Sequence, residues 1–351
     1  MTGAVCHAYN LESKRPINYS INFHFGSGLP HHPSQVYFNN EYIKSLELNA
    51  WFYDLNGKGS KNSIPGAGYF FSNLGNSGFY GNFHSLYLSL LNPPISSVVP
   101  VQFKLGFGIA YATKKFDIET NPFNRAIGSH LNAYGQISLT GRIAAGDEKL
   151  LIRPGVSFHH ISSGSVVAPN QGINMVTFHA GFEFKSGHSH SGTIALERDI
   201  TAGIKNRFSI ILAPGTKQVD WRNDKQILTS SLIFDYGYIF RPQKSIGMGI
   251  SLFYNDSWAY VPYTRTTRDE SLSPFQSAFH ISMQLNKGPL AFILHPGVYI
   301  YNTARDFPYL THRLGIKYSL ANNLTFQVSI KSHWFAVADY FEWGIGYEFT
   351  R

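Results

Sequence analysis

The sequence predicts an all-β protein, a transmembrane antiparallel β-barrel of roughly 16 strands, within a range of about 12 to 16. Three observations predict this fold. Apolar and polar residues alternate along most of the chain, and the connections between the alternating segments are short and long in turn. The composition combines 15% aromatic residues and 32 glycines with only 14% charged residues, which suits interfacial aromatic girdles and tight turns.

The alternation has a period of two, which indicates strands whose two faces meet different surroundings. In the first such segment, Ile17, Tyr19 and Ile21 alternate with Asn18 and Ser20. Segments of about 10 residues are long enough for a tilted membrane crossing. The same pattern recurs over 101–111, 131–143, 324–331 and 341–349.

A water-soluble β-sandwich is the alternative, and its apolar faces would have to converge on a buried core. The polar faces of the predicted strands are rich in His, Gln, Lys and Arg, which leaves too few apolar side chains for that core. No run of about 18 uninterrupted apolar residues occurs, which excludes transmembrane helices of the usual length. The membrane barrel is therefore favoured.

The connections predict the orientation of the barrel. Outer-membrane barrels have short periplasmic turns and long external loops. An even number of strands then places both termini on the periplasmic side. The short connections are 145–148, 241–244, 286–288 and 321–323, and the long ones are 26–42, 113–128, 214–226 and 258–274.

The predicted division of the chain is a periplasmic segment, 1–15, followed by a single barrel, 16–351. Its first half, 16–184, carries the candidate site described below, and 185–351 completes the barrel. Two separate barrels, formed by 1–184 and 205–351, are the alternative. One barrel is preferred because each additional closure needs its own pairing of first and last strands. The connection 186–204 is the least certain part of this scheme.

The N-terminus has no apolar segment of the kind that a signal peptide requires. We therefore expect the sequence to begin near a mature or engineered N-terminus, without its signal peptide. Cys6 is the one cysteine and has no partner for an intramolecular disulfide. Lipid modification of Cys6 is disfavoured because Gly-Ala-Val precedes it.

The formal net charge of +8 favours an anionic partner. Nucleic acid and anionic lipid both qualify. The sequence has no phosphate-binding Walker loop, no paired Cys-x-x-Cys and no nucleic-acid-binding motif. Together with the barrel pattern, this favours outer-membrane lipid and argues against nucleic acid. The sequence indicates no oligomeric state.

Three polar residues stand where the alternation predicts lipid-facing side chains. His160 and Ser162 continue the parity of apolar Val156, and Asn174 has the parity of Val176 on the next strand. Polar groups facing hydrocarbon are functional candidates by default. Near the interface, however, even a charge costs only roughly 0 to 1 kcal/mol, so polar residues without a function remain the alternative.

These residue types suit ester hydrolysis. A His two residues from a Ser on one face of a strand supplies a base beside a hydroxyl nucleophile. Asn174, across the predicted hairpin, is placed to hold the imidazole of His160 in the required tautomer. A site that opens sideways into the membrane fits a substrate that is itself a lipid of the outer leaflet.

The segment His160-Ile161-Ser162-Ser163-Gly164, followed by Pro169-Asn170-Gln171-Gly172-Ile173-Asn174, resembles the motif of the lipid A 3-O-deacylase (PagL-like) family, also known as acyloxyacyl hydrolases. Family members carry His-x-Ser-Asn-(Gly/Ala) and then Pro-Asn-x-Gly-Ile at the external end of an outer-membrane barrel. Residues 105–139 and 331–349 also resemble longer members of the family.

The resemblance implies an outer-membrane esterase that removes an ester-linked 3-hydroxyacyl chain from lipid A or lipopolysaccharide, without metal or cofactor. Ser162 would be the nucleophile, His160 the base and Asn174 the group that orients it. Ser163, Gly164 and Ser165 would position the substrate and its oxyanion. Two positions depart from the family pattern. The best-known member has Glu in place of Asn174, and the family usually has Asn in place of Ser163.

Cations in the external loops are candidates for binding the phosphates of lipid A. Lys114, Lys115 and Arg125 flank the loop before the motif, and Arg265 and Arg268 lie in another loop. Solvated loop charges without a ligand are the alternative.

Other polar residues receive structural assignments. His333, Asp339 and Glu342 are expected to face the lumen, where polar side chains are normal in any barrel. His188 and His190 are assigned to a loop rather than to a metal site, and His31-His32 has no evident partner. As a whole-protein alternative to the esterase, a barrel of this size could be a non-catalytic pore or transporter.

Overall fold

The computed structural model describes residues 17–30, 32–52, 63–95, 100–145, 150–185, 205–241, 244–260, 268–287, 289–303, 309–333 and 337–351. The predicted periplasmic segment 1–15 and the connection 186–204 lie outside the described residues. The same is true of His31, His188, His190 and Arg265.

The described chain is almost entirely β-structure, as predicted. The first half contains β1 (Ile17–Gly28), β2 (Ile43–Phe52), β3 (Ile64–Asn73), β4 (Asn82–Leu91), β5 (Val101–Ala112), β6 (Leu131–Gly141), β7 (Ile143–Ala145), β8 (Leu150–Ile152), β9 (Gly155–Ser162) and β10 (Ile173–Phe184), with helix α1 (Pro33–Phe38) after β1. The second half contains β11 (Lys205–Asp220), β12 (Asn223–Arg241), β13 (Lys244–Asn255), β14 (Phe275–Lys287), β15 (Leu290–Tyr301), β16 (Leu310–Ser319), β17 (Leu324–His333) and β18 (Val337–Thr350), with a 3₁₀ helix (Asp256–Ala259) after β13. No helix among the described residues is both long and apolar enough to cross a bilayer.

The strands form two closed antiparallel barrels. In the first barrel the sheet runs β1 to β6, then β9 and β10, and β10 pairs back onto β1, with Phe23 opposite Ala180. The short strands β7 and β8 lie at the end of this sheet, where β8 also pairs with β10. The second barrel comprises β11 to β18 and closes where Ile210 of β11 lies opposite Tyr347 of β18.

The antiparallel transmembrane barrel is thus confirmed as the fold class, but the single barrel over 16–351 is corrected. The chain closes twice, and the less favoured alternative of two barrels is the observed one. The physical reason is that the pattern of inward and outward residues is identical for one large barrel and two small ones. Closure is decided by which strand edges pair, and pairing β10 with β1 leaves no open edge at that seam.

The two faces of the strands differ as the alternation predicts. On the outer wall, Phe23 is 59% exposed and Phe178 is 69% exposed, as suits side chains that contact lipid. On the inner face, Asn22 and His24 are buried. An eight-stranded barrel has an interior that is just wide enough for side chains to fill.

Polar contacts fill the interior of each barrel. In the first, Glu47 accepts hydrogen bonds from Lys104 Nζ (2.6 Å) and Tyr87 Oη (2.7 Å). In the second, Arg313 forms an ion pair with Glu342. His333, Asp339 and Glu342 are all buried there, as predicted, and His333 Nε2 is 3.1 Å from Asp339 Oδ2.

The outer walls of the two barrels contact each other along one side. Leu90 and Phe107 have the parity of lipid-facing residues but are buried, and they form one apolar cluster with Phe292 of β15. Phe341 of β18 packs against the same cluster. The first barrel makes this contact through β4 and β5, and β5 is separated by β6 from β9, which carries His160 and Ser162.

Candidate active site

The three polar residues predicted on the outer wall come together at the end of the β9–β10 hairpin. The register of the two strands places His160 opposite Asn174. His160 Nδ1 is 2.6 Å from Asn174 Oδ1, and His160 Nε2 is 3.1 Å from Ser162 Oγ. The three side chains therefore form one continuous hydrogen-bonded chain.

The geometry of this chain sets the proton positions. An amide oxygen can only accept a hydrogen bond, so Nδ1 of His160 carries the proton that faces Asn174 Oδ1. Nε2 of the neutral ring then accepts the hydrogen bond from the Ser162 hydroxyl. This is the arrangement in which an imidazole can act as a general base toward a serine.

The site lies on the outer wall but is more enclosed than the sequence predicts. His160 and Ser162 share the face of Val156 and Phe158, which are exposed. Ser162 itself is only 1% exposed. The cover comes from the loop 163–172 that follows Ser162, and alternation alone holds no information about the path of such a loop.

Small residues on β6 leave space beside the pair. Ala133 lies opposite Ser162, and Gly135 lies opposite His160. A Cβ atom built on Gly135 would have no heavy atom within 4 Å, so the outer wall is open at this point. On the other side of β6, Phe107 of β5 lies opposite Gly135. An apolar chain is the kind of group that suits this opening.

Several polar groups of the loop 163–172 form hydrogen bonds within the loop itself. The Ser163 N–H donates to Asn170 Oδ1 (2.7 Å), and the Ser163 hydroxyl donates to the Val167 carbonyl (2.9 Å). Ser163, one of the predicted oxyanion-binding residues, therefore has both donors engaged. Asn170 belongs to the motif, but its part in holding this turn was not predicted.

Gly164 and Ser165 differ from Ser163 in this respect. Both residues have positive φ, 59° and 60°, which turns the chain sharply after Ser163. In the part of the chain that the structure describes, no acceptor is hydrogen-bonded to their backbone N–H groups. Gly164 also packs against Phe341, because a Cβ there would be 2.4 Å from the Cδ2 atom of that ring.

One of the predicted cationic residues, Arg125, adjoins the site loop. Lys114, Lys115 and Arg125 are exposed. The Arg125 carbonyl accepts a hydrogen bond from the Gln171 N–H (3.1 Å), which ties their loop to the site loop. Lys114 Nζ donates to the Gly78 carbonyl (2.5 Å).

Asp117 is a negative group within this same loop. Hydrogen bonds from the Thr120 backbone and hydroxyl, and from the Glu119 N–H, lower the pKa of its carboxyl. Asp117 is therefore ionised at neutral pH and offsets part of the charge of the neighbouring Lys115.

Within the described residues, one cluster has the spacing of metal ligands. Asp235, His280 and His295 lie inside the second barrel, with their ligand atoms within 4.8 Å of one another. Arg207 lies 4.0 Å from Asp235, and Arg313 Nη1 is 3.5 Å from His295 Nδ1. Two guanidinium groups would repel a cation, so this cluster fits a hydrogen-bonded barrel interior better than a metal centre.

Two family models match the chain in sequence. Residues 41–183 match the lipid A 3-O-deacylase (PagL) model, and residues 206–351 match the model of the acyloxyacyl hydrolase C-terminal domain. The first match falls on the first barrel and includes His160, Ser162 and Asn174. The second match coincides with the second barrel. No individually curated protein matches the chain.

Solved structures with some likeness to the chain are outer-membrane proteins of low identity. An outer-membrane channel from Pseudomonas putida is 8% identical, with a TM-score of 0.20 and 96% of each chain covered. CdiB from Acinetobacter baumannii is 8% identical, with a TM-score of 0.20, 95% of this chain and 60% of that chain covered. A triple mutant of Rhodopseudomonas blastica porin is 11% identical, with a TM-score of 0.19 and coverage of 95% and 99%. TM-scores this low carry no argument about the chain.

Proposed function

The chain belongs to the lipid A 3-O-deacylase (PagL) family, and on that premise we propose that it hydrolyses an ester-linked 3-hydroxyacyl chain of lipid A with Ser162 as nucleophile and His160 as base. Membership of this family indicates a lipid A deacylase, and so an ester hydrolase, of the outer membrane. The observation that carries the finer proposal is the hydrogen-bonded chain Asn174–His160–Ser162 on the outer wall.

The proposed reaction has two steps. In the first, Ser162 Oγ attacks the ester carbonyl while His160 Nε2 takes the hydroxyl proton, and the imidazolium then gives that proton to the departing sugar oxygen, which leaves as a hydroxyl. In the second, a water molecule attacks the acyl-serine with the same base, which releases the 3-hydroxy fatty acid and restores Ser162. The Asn174 oxygen stabilises the imidazolium less than a carboxylate would, but it fixes the ring orientation.

The oxyanion of each step needs donors aimed at the reacting carbonyl. We assign this role to the N–H groups of Gly164 and Ser165, because the turn at positive φ follows Ser162 closely and the Ser163 donors are engaged elsewhere. Gly164 is suited to this turn because it has no Cβ to clash with Phe341.

The substrate would meet the site along the barrel wall. An acyl chain fits the opening beside Gly135, on the same outer face as the lipid-exposed Phe158. The lipid A phosphates would lie at the level of the external loops, where Lys114, Lys115 and Arg125 are exposed. The proposed partners are thus lipopolysaccharide as substrate and the surrounding outer-membrane lipid.

Mass spectrometry of lipid A tests this proposal. Outer membranes that contain the protein should yield lipid A lighter by one 3-hydroxyacyl chain, together with the free 3-hydroxy fatty acid. Membranes without the protein should yield neither. Identical spectra from the two membranes, with folded protein present, would refute the esterase.

Asn174 offers a graded test of the orienting role. Asn174→Val keeps a similar size but removes the acceptor for the His160 Nδ1 proton. We expect kcat to fall about tenfold to hundredfold and KM to change little. The decrease should be smaller than the roughly 10²- to 10⁴-fold rate enhancement that a general base contributes, because His160 itself remains. Steady-state rates on lipid A in mixed micelles measure both constants, with Val176→Ala as the control on the same strand. An unchanged kcat would remove Asn174 from the mechanism.

The alternative function, a non-catalytic pore or transporter, predicts a different measurement. Each barrel has eight crossing strands and an interior occupied by buried polar side chains such as Glu47 and Arg313. We therefore expect no stable open channel in planar-bilayer recordings of the purified protein. Discrete, long-lived conductance steps would favour the pore instead.

A further inference from the structure

The β11–β12 hairpin of the second barrel contacts the active-site loop of the first. The Gln218 N–H donates to the Ser165 carbonyl (3.0 Å), and Gln218 Oε1 accepts a hydrogen bond from the Ala168 N–H (2.9 Å). Gln226 Nε2 donates to the Val166 carbonyl (3.0 Å). Three residues of the loop, Ser165, Val166 and Ala168, are thus hydrogen-bonded to the second barrel.

The environment of Gln218 is unusual for its place on the strand. It has the parity of Thr216, which is exposed on the outer wall, yet Gln218 is only 7% exposed. Its Nε2 donates to the carbonyls of Asp220 (3.2 Å) and Asn223 (3.1 Å) in the adjoining turn. These bonds fix the amide so that Oε1 points at Ala168, and the group is satisfied although it is buried.

Strand β18 holds the first residues of the same loop. The Ser165 hydroxyl donates to the Ala338 carbonyl (3.1 Å), and the ring of Phe341 packs on Gly164. Gly164 and Ser165 are the residues to which the oxyanion role is assigned above. The second barrel therefore contacts the two residues whose N–H groups are proposed to bind the oxyanion.

The first barrel supports the other end of the loop. The Gln171 and Gly172 N–H groups donate to the carbonyls of Arg125 (3.1 Å) and Ala126 (3.0 Å), and Gln35 Nε2 donates to the Gly172 carbonyl (2.7 Å). Support for the loop is thus divided. Residues 171–172 depend on the first barrel, and 164–168 depend to a large extent on the second.

We propose that the second barrel positions the active-site loop, with Gln218 as a positioning residue that fixes the directions of the Gly164 and Ser165 N–H groups relative to Ser162. This inference rests on the proposed function, because it gives the loop a task in ester hydrolysis. The second barrel would thus contribute to a reaction whose site residues all belong to the first barrel.

The test compares two variants of the full-length protein. Gln218→Met keeps the side-chain volume but removes the acceptor for Ala168 and the bonds to the turn. Thr216→Val changes an exposed residue of the same strand and serves as the matched control. A displaced reacting group costs up to about 10²-fold in rate, so we expect Gln218→Met to lower kcat by about tenfold or more and to change KM less than about twofold.

Two readouts are needed on the same samples. One is release of 3-hydroxy fatty acid from lipid A per folded molecule, with the folded fraction taken from heat-modifiable gel migration. The other is hydrogen exchange of residues 163–172, which should be faster in Gln218→Met and unchanged in Thr216→Val. A wild-type kcat for Gln218→Met, or a loss of kcat without faster exchange in the loop, would overturn the proposal.

These readouts distinguish a failure of the proposed function from a failure of the positioning role of Gln218. If wild-type protein releases no fatty acid, the proposed function fails, and no role in hydrolysis is left for Gln218 whatever the exchange rates. If wild-type protein is active and Gln218→Met is equally active, the esterase stands and only the positioning role is lost.

Discussion

Replacement of Ser162 by alanine is expected to abolish the release of 3-hydroxy fatty acid from lipid A. The hydroxyl lies 3.1 Å from His160 Nε2, and in the proposed mechanism no acyl-serine can form without it. Loss of the nucleophile in a serine hydrolase lowers kcat by about 10⁶-fold. After a decrease of this size, mass spectra of lipid A should show no deacylated product. The Ser162→Ala substitution should therefore lower activity more than Asn174→Val or Gln218→Met.

The barrel should fold normally without the Ser162 hydroxyl. Ser162 ends β9, and its backbone register opposite Ala133 does not depend on the side chain. Ser157→Ala, on the same strand but facing the interior, is the matched control, and its activity should stay close to wild type. Heat-modifiable migration reports folding of both variants. Fatty acid release by Ser162→Ala at the rate of wild type would show that another group is the nucleophile.

Much of this site was predictable because strand geometry is regular. Side chains alternate strictly, so the parity of His160 and Ser162 follows from Val156 and Phe158 once the strand is recognised. A hairpin pairs residues in fixed register, which also brings Asn174 to the same wall. Local sequence therefore carries the information for these three positions.

The rest of the site depends on contacts that leave no periodic signal. The closure of β10 onto β1 is a choice between strand edges that alternation does not record. The burial of Ser162 arises from the path of loop 163–172, and Gly164 of this loop packs against Phe341, which is far away in sequence. Gln218 has the parity of a lipid-facing residue, and nothing in its neighbours indicates that a loop of the other barrel covers it.

The second large effect is expected on stability, at Glu47 inside the first barrel. Its carboxylate is buried and also accepts hydrogen bonds from Asn22 Nδ2 (2.8 Å) and Gln136 Nε2 (2.7 Å), in addition to those from Lys104 and Tyr87. Glu47→Leu would leave the Lys104 ammonium buried without its counter-charge. Breaking a buried ion pair in this way costs about 3–5 kcal/mol, which we expect as the loss in the free energy of unfolding.

A double variant separates the charge effect from the loss of volume and hydrogen bonds. When Lys104→Met accompanies Glu47→Leu, no uncompensated charge remains, so part of the lost stability should return. The free energy of unfolding should recover only in part, because Tyr87 and Gln136 lose Glu47 as a hydrogen-bond acceptor in the double variant as well. Urea unfolding in detergent micelles measures all variants, with Glu119→Leu in an exposed loop as the control.

The Glu47 network in the barrel interior adjoins the wall that carries the candidate site. Gln136 points inward to Glu47 from β6, and its neighbour Gly135 faces outward beside His160. Loss of the Glu47 network should therefore loosen the wall that carries the opening, and hydrogen exchange over 131–141 should rise in Glu47→Leu more than in Glu119→Leu. If Glu47→Leu unfolds at the same urea concentration as Glu119→Leu, the Glu47 network does not contribute to the stability of this barrel.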